Sequence, residues 1–215
     1  MPEFPIIPSK TGMVFFDALN RYLHPADPAR QKALNESGVV QRMAKMKQAC
    51  DKVGIPSFYP AADHRPDGKD WARQVVDRGM GGPPPGVTGP YLTVPFSAAT
   101  TDLVSGTPGV EIIPELAPRP EDYIIKKHRW SSFHQTHLLL SLNTAGIDTL
   151  LLAGGAIDIG IASTAYSARD NDFSLIVLRD VCTGEQDILD MFMDRIFPKF
   201  ARVMTVDQAI SQFAH

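Results

Sequence analysis

Cysteine is scarce in this 215-residue chain: Cys50 and Cys182 are the only two. Two thiols cannot build a disulfide scaffold, and they fit a reducing cytoplasm. Positive charge is not in excess either. The formal net charge is −3, which argues against a nucleic-acid binder, whose domain would normally be basic. No apolar run approaches the roughly 18 residues of a membrane span. The opening segment MPEFPIIPSK lacks the charged-then-apolar layout of a signal peptide, because prolines interrupt its short apolar stretch. Repeats, low-complexity tracts and a dividing linker are all missing. What is present is ordinary for a globular chain: 44% hydrophobic and 21% charged residues, enough for a substantial core.

The apolar runs are short and alternate with helical stretches. Strands are expected at 12–16, 55–59, 122–127, 149–153, 174–178 and 202–206. A helix carrying Val39, Val40, Met43 and Met46 on one side should stop at Gly54, and further helices are expected at about 134–145, 158–169, 185–196 and 206–214. Strands that are apolar on both faces and alternate with helices predict a mostly parallel sheet covered on both sides, an α/β fold. We read the chain as one domain over 1–215 with a long insertion at about 61–119. That insertion holds a Gly-Gly-Pro-Pro-Pro-Gly run at 81–86 together with Trp71, Tyr91 and Phe96. Insertions of this length often form active-site walls, although a plain surface excursion fits the proline run equally well.

In an open parallel sheet, ligands bind outside the carboxyl ends of the strands. That rule selects Asp17, Lys127 and the segment Gly154–Gly160. A carboxylate beside an ammonium can move a proton or orient a water, and a glycine-rich turn into a helix offers N–H groups to an anion. Each also has a plainer role. Asp17 can cap a turn, Lys127 sits in a basic run (Lys126-Lys127-His128-Arg129) of the kind usually solvated, and Gly154 and Gly155 can serve turn geometry alone. GGAIDIG is not the G-x-G-x-x-G fingerprint, so NAD and FAD are rejected and no cofactor is called for. His134 and His137 share a face if they lie on a helix, but no acidic or cysteine ligand completes a metal set. Asp63-His64 is a second weak metal candidate, and no metal is assigned. Asp180, at the end of the fifth strand, is expected to cap or pair.

SGTPGVEIIPEL (105–116), KHRWSSFHQTHL (127–138) and LLLAGGAIDIGIASTA (150–165) together resemble the isochorismatase-like hydrolase superfamily, in order and over nearly the whole chain. The resemblance implies a three-layer α/β/α sandwich with a six-stranded, Rossmann-like parallel sheet, assembled as homodimers or homotetramers; the cysteine usage already points to the cytoplasm. It implies a catalytic trio of aspartate, lysine and cysteine, which falls here on Asp17, Lys127 and Gly160. It further implies a cis peptide at Gly155–Ala156, with oxyanion-type N–H donors at Ala156 and Gly160. The glycine at 160 is the departure. The isochorismatase branch proper resembles this arrangement: it has glycine there and cleaves an enol ether through an aspartate acid, with no nucleophile. The alternatives are a cysteine amidohydrolase acting on a small amide or ureide, whose nucleophile has been replaced by glycine, and a silent binding protein on the same fold. The isochorismatases' polar glutamine after the second strand falls on Ala62, and ADHRPDGKDW (62–71) looks more like the amidohydrolase members. The expected partner is a small, carboxylate-bearing substrate, with neither nucleic acid nor membrane. His64 and Arg129 are candidate anion contacts. Trp71, Tyr91, Phe96 and Trp130 are candidates for an apolar wall, and so is Phe133, which the family's turn would bury.

Overall fold

The computed structural model describes residues 4–70 and 103–214. Six strands form one sheet: β1 Thr11–Phe16, β2 Ser57–Ala62, β3 Tyr123–Lys127, β4 Thr149–Gly154, β5 Ser174–Cys182 and β6 Arg202–Met204. Their order is β3-β2-β1-β4-β5-β6, and every neighbouring pair is parallel. The helices are α1 Asn20–Leu23, α2 Pro28–Ser37, α3 Val39–Val53, α4 Leu138–Thr144, α5 Ala162–Asp170, α6 Gln186–Met191 and α7 Val206–Ser211.

The period of two along a strand sorts the core into layers. Met13 and Phe15 of β1 pack with Val40, Met43 and Met46 of α3 and with Val206 and Ala209 of α7 on one face. Val14 and Phe16 pack with Leu138 and Leu142 of α4, Ala165 and Ala168 of α5, and Met193 on the other. Both faces are therefore covered, which is why β1 and β2 are buried at every position. The result is the expected three-layer α/β/α sandwich, with an all-parallel sheet.

Several boundaries differ from the sequence reading. Strand β2 runs to Ala62 rather than 59, because its pairing with β3 continues through Ala62↔Lys127. Strand β5 runs on to Cys182, so Asp180 lies inside it; the Asp180 carboxylate accepts the Val206 N–H and faces Arg42. The helix expected at 134–145 is confined to Leu138–Thr144. Gln135 takes a left-handed φ of 53°, and the Thr136 hydroxyl both donates to the Ser132 carbonyl and accepts the Leu138 N–H. Such side-chain bonds compete with helix formation. His134 and His137 therefore do not share a helical face. At 158–169 and 185–196 the helices are broken by wider turns, Ile157–Ile161 before α5 and Phe192–Ile196 after α6. Strand β6 and helix α7 are shorter than the expected ranges, and helix α2, capped by Asp27, adds an element that the apolar spacing does not mark.

Candidate active site

The strand order reverses direction between β1 and β4, and such a switch point opens a crevice at the carboxyl ends of those strands. Asp17 follows β1 there. Its φ of 45° turns the chain sharply, and its N–H donates to the Pro60 carbonyl of β2 at 2.9 Å. The side chain is almost fully buried. Oδ1 accepts the Ala62 N–H at 2.9 Å, and Oδ2 accepts from Lys127 Nζ at 2.8 Å. Asp17 thus caps no helix; its carboxylate is held from two directions.

Lys127 ends β3 and is 5% exposed. The plain reading of its basic run fails because alternate strand residues face opposite ways. Lys126 is exposed and pairs with Asp63, whereas Lys127 points inward. Its ammonium also lies 4.3 Å from the centroid of the Phe16 ring, a cation–π contact. The turn after it is tied to α5: Ser132 N–H and hydroxyl meet Thr164 Oγ1, and Ser131 Oγ donates to Ser167 Oγ. Phe133 is half-buried against Phe173.

The third element is the turn after β4. The peptide between Gly155 and Ala156 is cis, at the position implied by the resemblance. Ile157–Ile161 then form a wide helical turn whose first internal bond runs from Ile161 N–H to the Ala156 carbonyl, 3.0 Å. The amides before it, including that of Gly160, belong to the part of a helix whose N–H groups have no partner within the helix. Gly160 itself is buried against Phe16. A Cβ built on it would overlap the ring atoms Cε1 and Cζ and approach Cδ1 at 3.2 Å. Phe16 gave no signal in the sequence, where it is one more apolar residue in an apolar strand.

Of the two cysteines, Cys182 pairs across the sheet with Gly154 of this turn, and Cys50 lies in α3. Cys50 is enclosed in α3, where burial first and then the neighbouring Asp51 raise its thiol pKa, and burial pushes Cys182 up to about 12. Burial disfavours the thiolate at both positions. His64 is buried beside Asp70, 3.4 Å from Nδ1 to the carboxylate, and Asp70 also meets His128 Nε2 at 3.2 Å. Burial lowers the His64 pKa more than Asp70 raises it, so the ring is neutral at neutral pH. Arg129 donates to the carbonyls of Asp70 and His128. Trp130 is 51% exposed, a surface ring in this structure. Trp71, Tyr91 and Phe96 lie outside the described residues, as do the proline run and most of the insertion. Among the described residues no group of three His, Cys, Asp or Glu side chains is placed to hold a metal, and no helix is long and apolar enough to cross a membrane.

Comparison with known proteins bears on this geometry. The isochorismatase domain model matches residues 11–208, so the chain belongs to the isochorismatase family and is a hydrolase. YwoC, an uncharacterised isochorismatase family protein of Bacillus subtilis, is 28% identical over 204 residues, covering 94% of each chain. The maleamate amidohydrolase of Pseudomonas putida is 26% identical over 208 residues, 96% of this chain and 88% of that one. A cysteine hydrolase of Pseudomonas syringae superposes with a TM-score of 0.77 at 22% identity, over 98% of this chain and 95% of that one, a likeness of fold.

Proposed function

We propose that this hydrolase cleaves a small, carboxylate-bearing enol ether by acid–base catalysis, with Asp17 as the acid and no covalent intermediate. The observation that carries this reading is the packing at position 160. The Phe16 ring occupies the place a side chain there would take, while the Asp17–Lys127 pair stays buried and in contact beside it. Nucleophilic catalysis needs an activated thiol or hydroxyl; protonation of a vinyl carbon does not.

In the proposed reaction Asp17, having taken a proton from solvent, delivers it to the terminal vinyl carbon, leaving an oxocarbenium ion. Water adds to that ion, its released proton returns to the Asp17 carboxylate, and the hemiketal collapses to pyruvate and an alcohol. Lys127 stabilises the carboxylate formed when the proton leaves. The amides of Ala156 and Gly160, on the glycine turn that includes Gly155, are the donors proposed for negative charge on the substrate. His64, His128 and Arg129, which flank the β2 and β3 ends, are the nearby groups offered for a substrate carboxylate. We further propose one cytoplasmic domain acting as a homodimer or homotetramer, which light scattering on the purified protein tests.

The test is a paired assay: pyruvate release from enolpyruvyl ethers of small cyclic alcohols against ammonia release from small amides and ureides. Pyruvate release alone is expected. The amide reading has support in the relative named a maleamate amidohydrolase, and ammonia release by the parent chain would establish it instead.

A further inference from the structure

What position 160 can carry is decided on β1. Phe16 is 2% exposed, and its backbone is held in the middle of the sheet by its pairing with β4. It pairs in register with Gly154, whose φ of 133° and lack of a side chain are both required there, since a Cβ on Gly154 would overlap the Phe16 carbonyl oxygen. With the backbone fixed, the ring projects to the start of the helical turn, where its far atoms Cε1 and Cζ take the volume of a side chain at Gly160. Its π face meets Lys127 Nζ at 4.3 Å. One phenyl group therefore fills the space between the buried ammonium and position 160.

We propose that Phe16 is the specificity-determining residue of this site, its ring excluding any side-chain nucleophile from position 160 and so committing the chain to chemistry without a covalent intermediate. The inference rests on Asp17 and Lys127 being the working pair, yet its test reads packing and thiol reactivity rather than turnover. Leucine at 16 lacks the atoms that lie where Cε1 and Cζ are, so Phe16→Leu should reopen the position.

The experiment is a double-mutant cycle on the full chain. Gly160→Ala in the parent is expected to lower Tm by about 5 °C through overpacking, and to cost far less in the Phe16→Leu background. The second measurement uses Gly160→Cys with and without Phe16→Leu, treated with iodoacetamide under native conditions. The thiol loses its proton to solvent, and the thiolate sulfur bonds to the methylene carbon as iodide leaves. The introduced thiol should be alkylated at least ~10-fold faster in the double variant than in the single variant, while buried Cys50 and Cys182 stay unlabelled as internal references. Failure of Gly160→Cys alone to fold, rescued by Phe16→Leu, counts as support; if neither cysteine variant folds, the alanine cycle decides. Additive Tm losses with equal labelling would overturn the role of Phe16. That outcome would leave Asp17 and Lys127 standing, whereas a failure of their role appears in turnover.

Discussion

Asp17 answers to two neighbours at once, Ala62 N–H and Lys127 Nζ, and Asn can keep only the first. Asp17→Asn retains the shape and the backbone bond but has no proton to give. It is expected to lower turnover by about 10²–10⁴-fold, the usual worth of general acid catalysis, with a folded circular-dichroism spectrum; near-parent turnover would remove Asp17 from the mechanism. Lys127→Met keeps the apolar stem over Phe16 and removes the charge, and a comparable loss is expected in the same assay. Both residues were legible in the sequence, because the ends of parallel strands are where ligands sit. The rule says where to look and not which way a side chain faces. Lys126 and Lys127 are chemically alike and adjacent, and only strand alternation sends one to solvent and the other to Asp17. Phe16 was not legible at all. Its role comes from a glycine in a distant part of the sequence, a coincidence of folding with no local mark.

At the scale of elements, the site is held by hydrogen bonds between its turns and the helices beside them. The turn after Lys127 hangs on Thr164 of α5, which accepts the buried Ser132 N–H. Thr164→Val keeps the volume and strands that donor, so a loss of about 1–3 kcal/mol is expected in urea unfolding. At the opposite end of the sheet, Lys47 of α3 reaches the fully buried Asp122 carboxylate at 3.0 Å, and Arg119 reaches it at 3.2 Å. Burial alone would raise the Asp122 pKa, but hydrogen bonds from Arg119, Lys47 and the Ser57 N–H outweigh it and leave the pKa below its ordinary 3.8. A carboxyl depressed on folding contributes stability that is complete above its unfolded pKa and is lost as pH falls through the folded one. Asp122→Asn should therefore cost about 3 kcal/mol at neutral pH and flatten the stability loss below pH 3.8. The helix starting at 134 was misplaced for a comparable reason: hydroxyls at 131, 132 and 136 make bonds that hydrophobic spacing cannot reveal.

The whole molecule was the most readable level. Period-two burial on both faces and the alternation of strands with helices specify a covered parallel sheet, and the strand order then puts the ends of β1 and β4 at one switch point. Less readable was how a segment between strands would fold back. The end of β2 leads to His64, whose backbone bridges Leu103 and Ser105, so a residue with a buried imidazole joins segments far apart in sequence. Its pKa is lowered chiefly by burial, against the pull of Asp70. A histidine lowered on folding gives stability that is complete above its unfolded value of 6.5 and declines as pH falls below it. His64→Gln should flatten the Tm-versus-pH curve in that range; an unchanged slope would show that His64 is not its source.

The central claim is that Asp17 protonates carbon while water, with no protein nucleophile, completes the hydrolysis. The most direct measurement is turnover of an enolpyruvyl ether in deuterium oxide, with the pyruvate examined by mass spectrometry. The account predicts one deuterium in the pyruvate methyl group for the parent enzyme and pyruvate formed about 10²–10⁴-fold more slowly by Asp17→Asn. Pyruvate formed equally by both proteins, or ammonia from amides in its place, would contradict it.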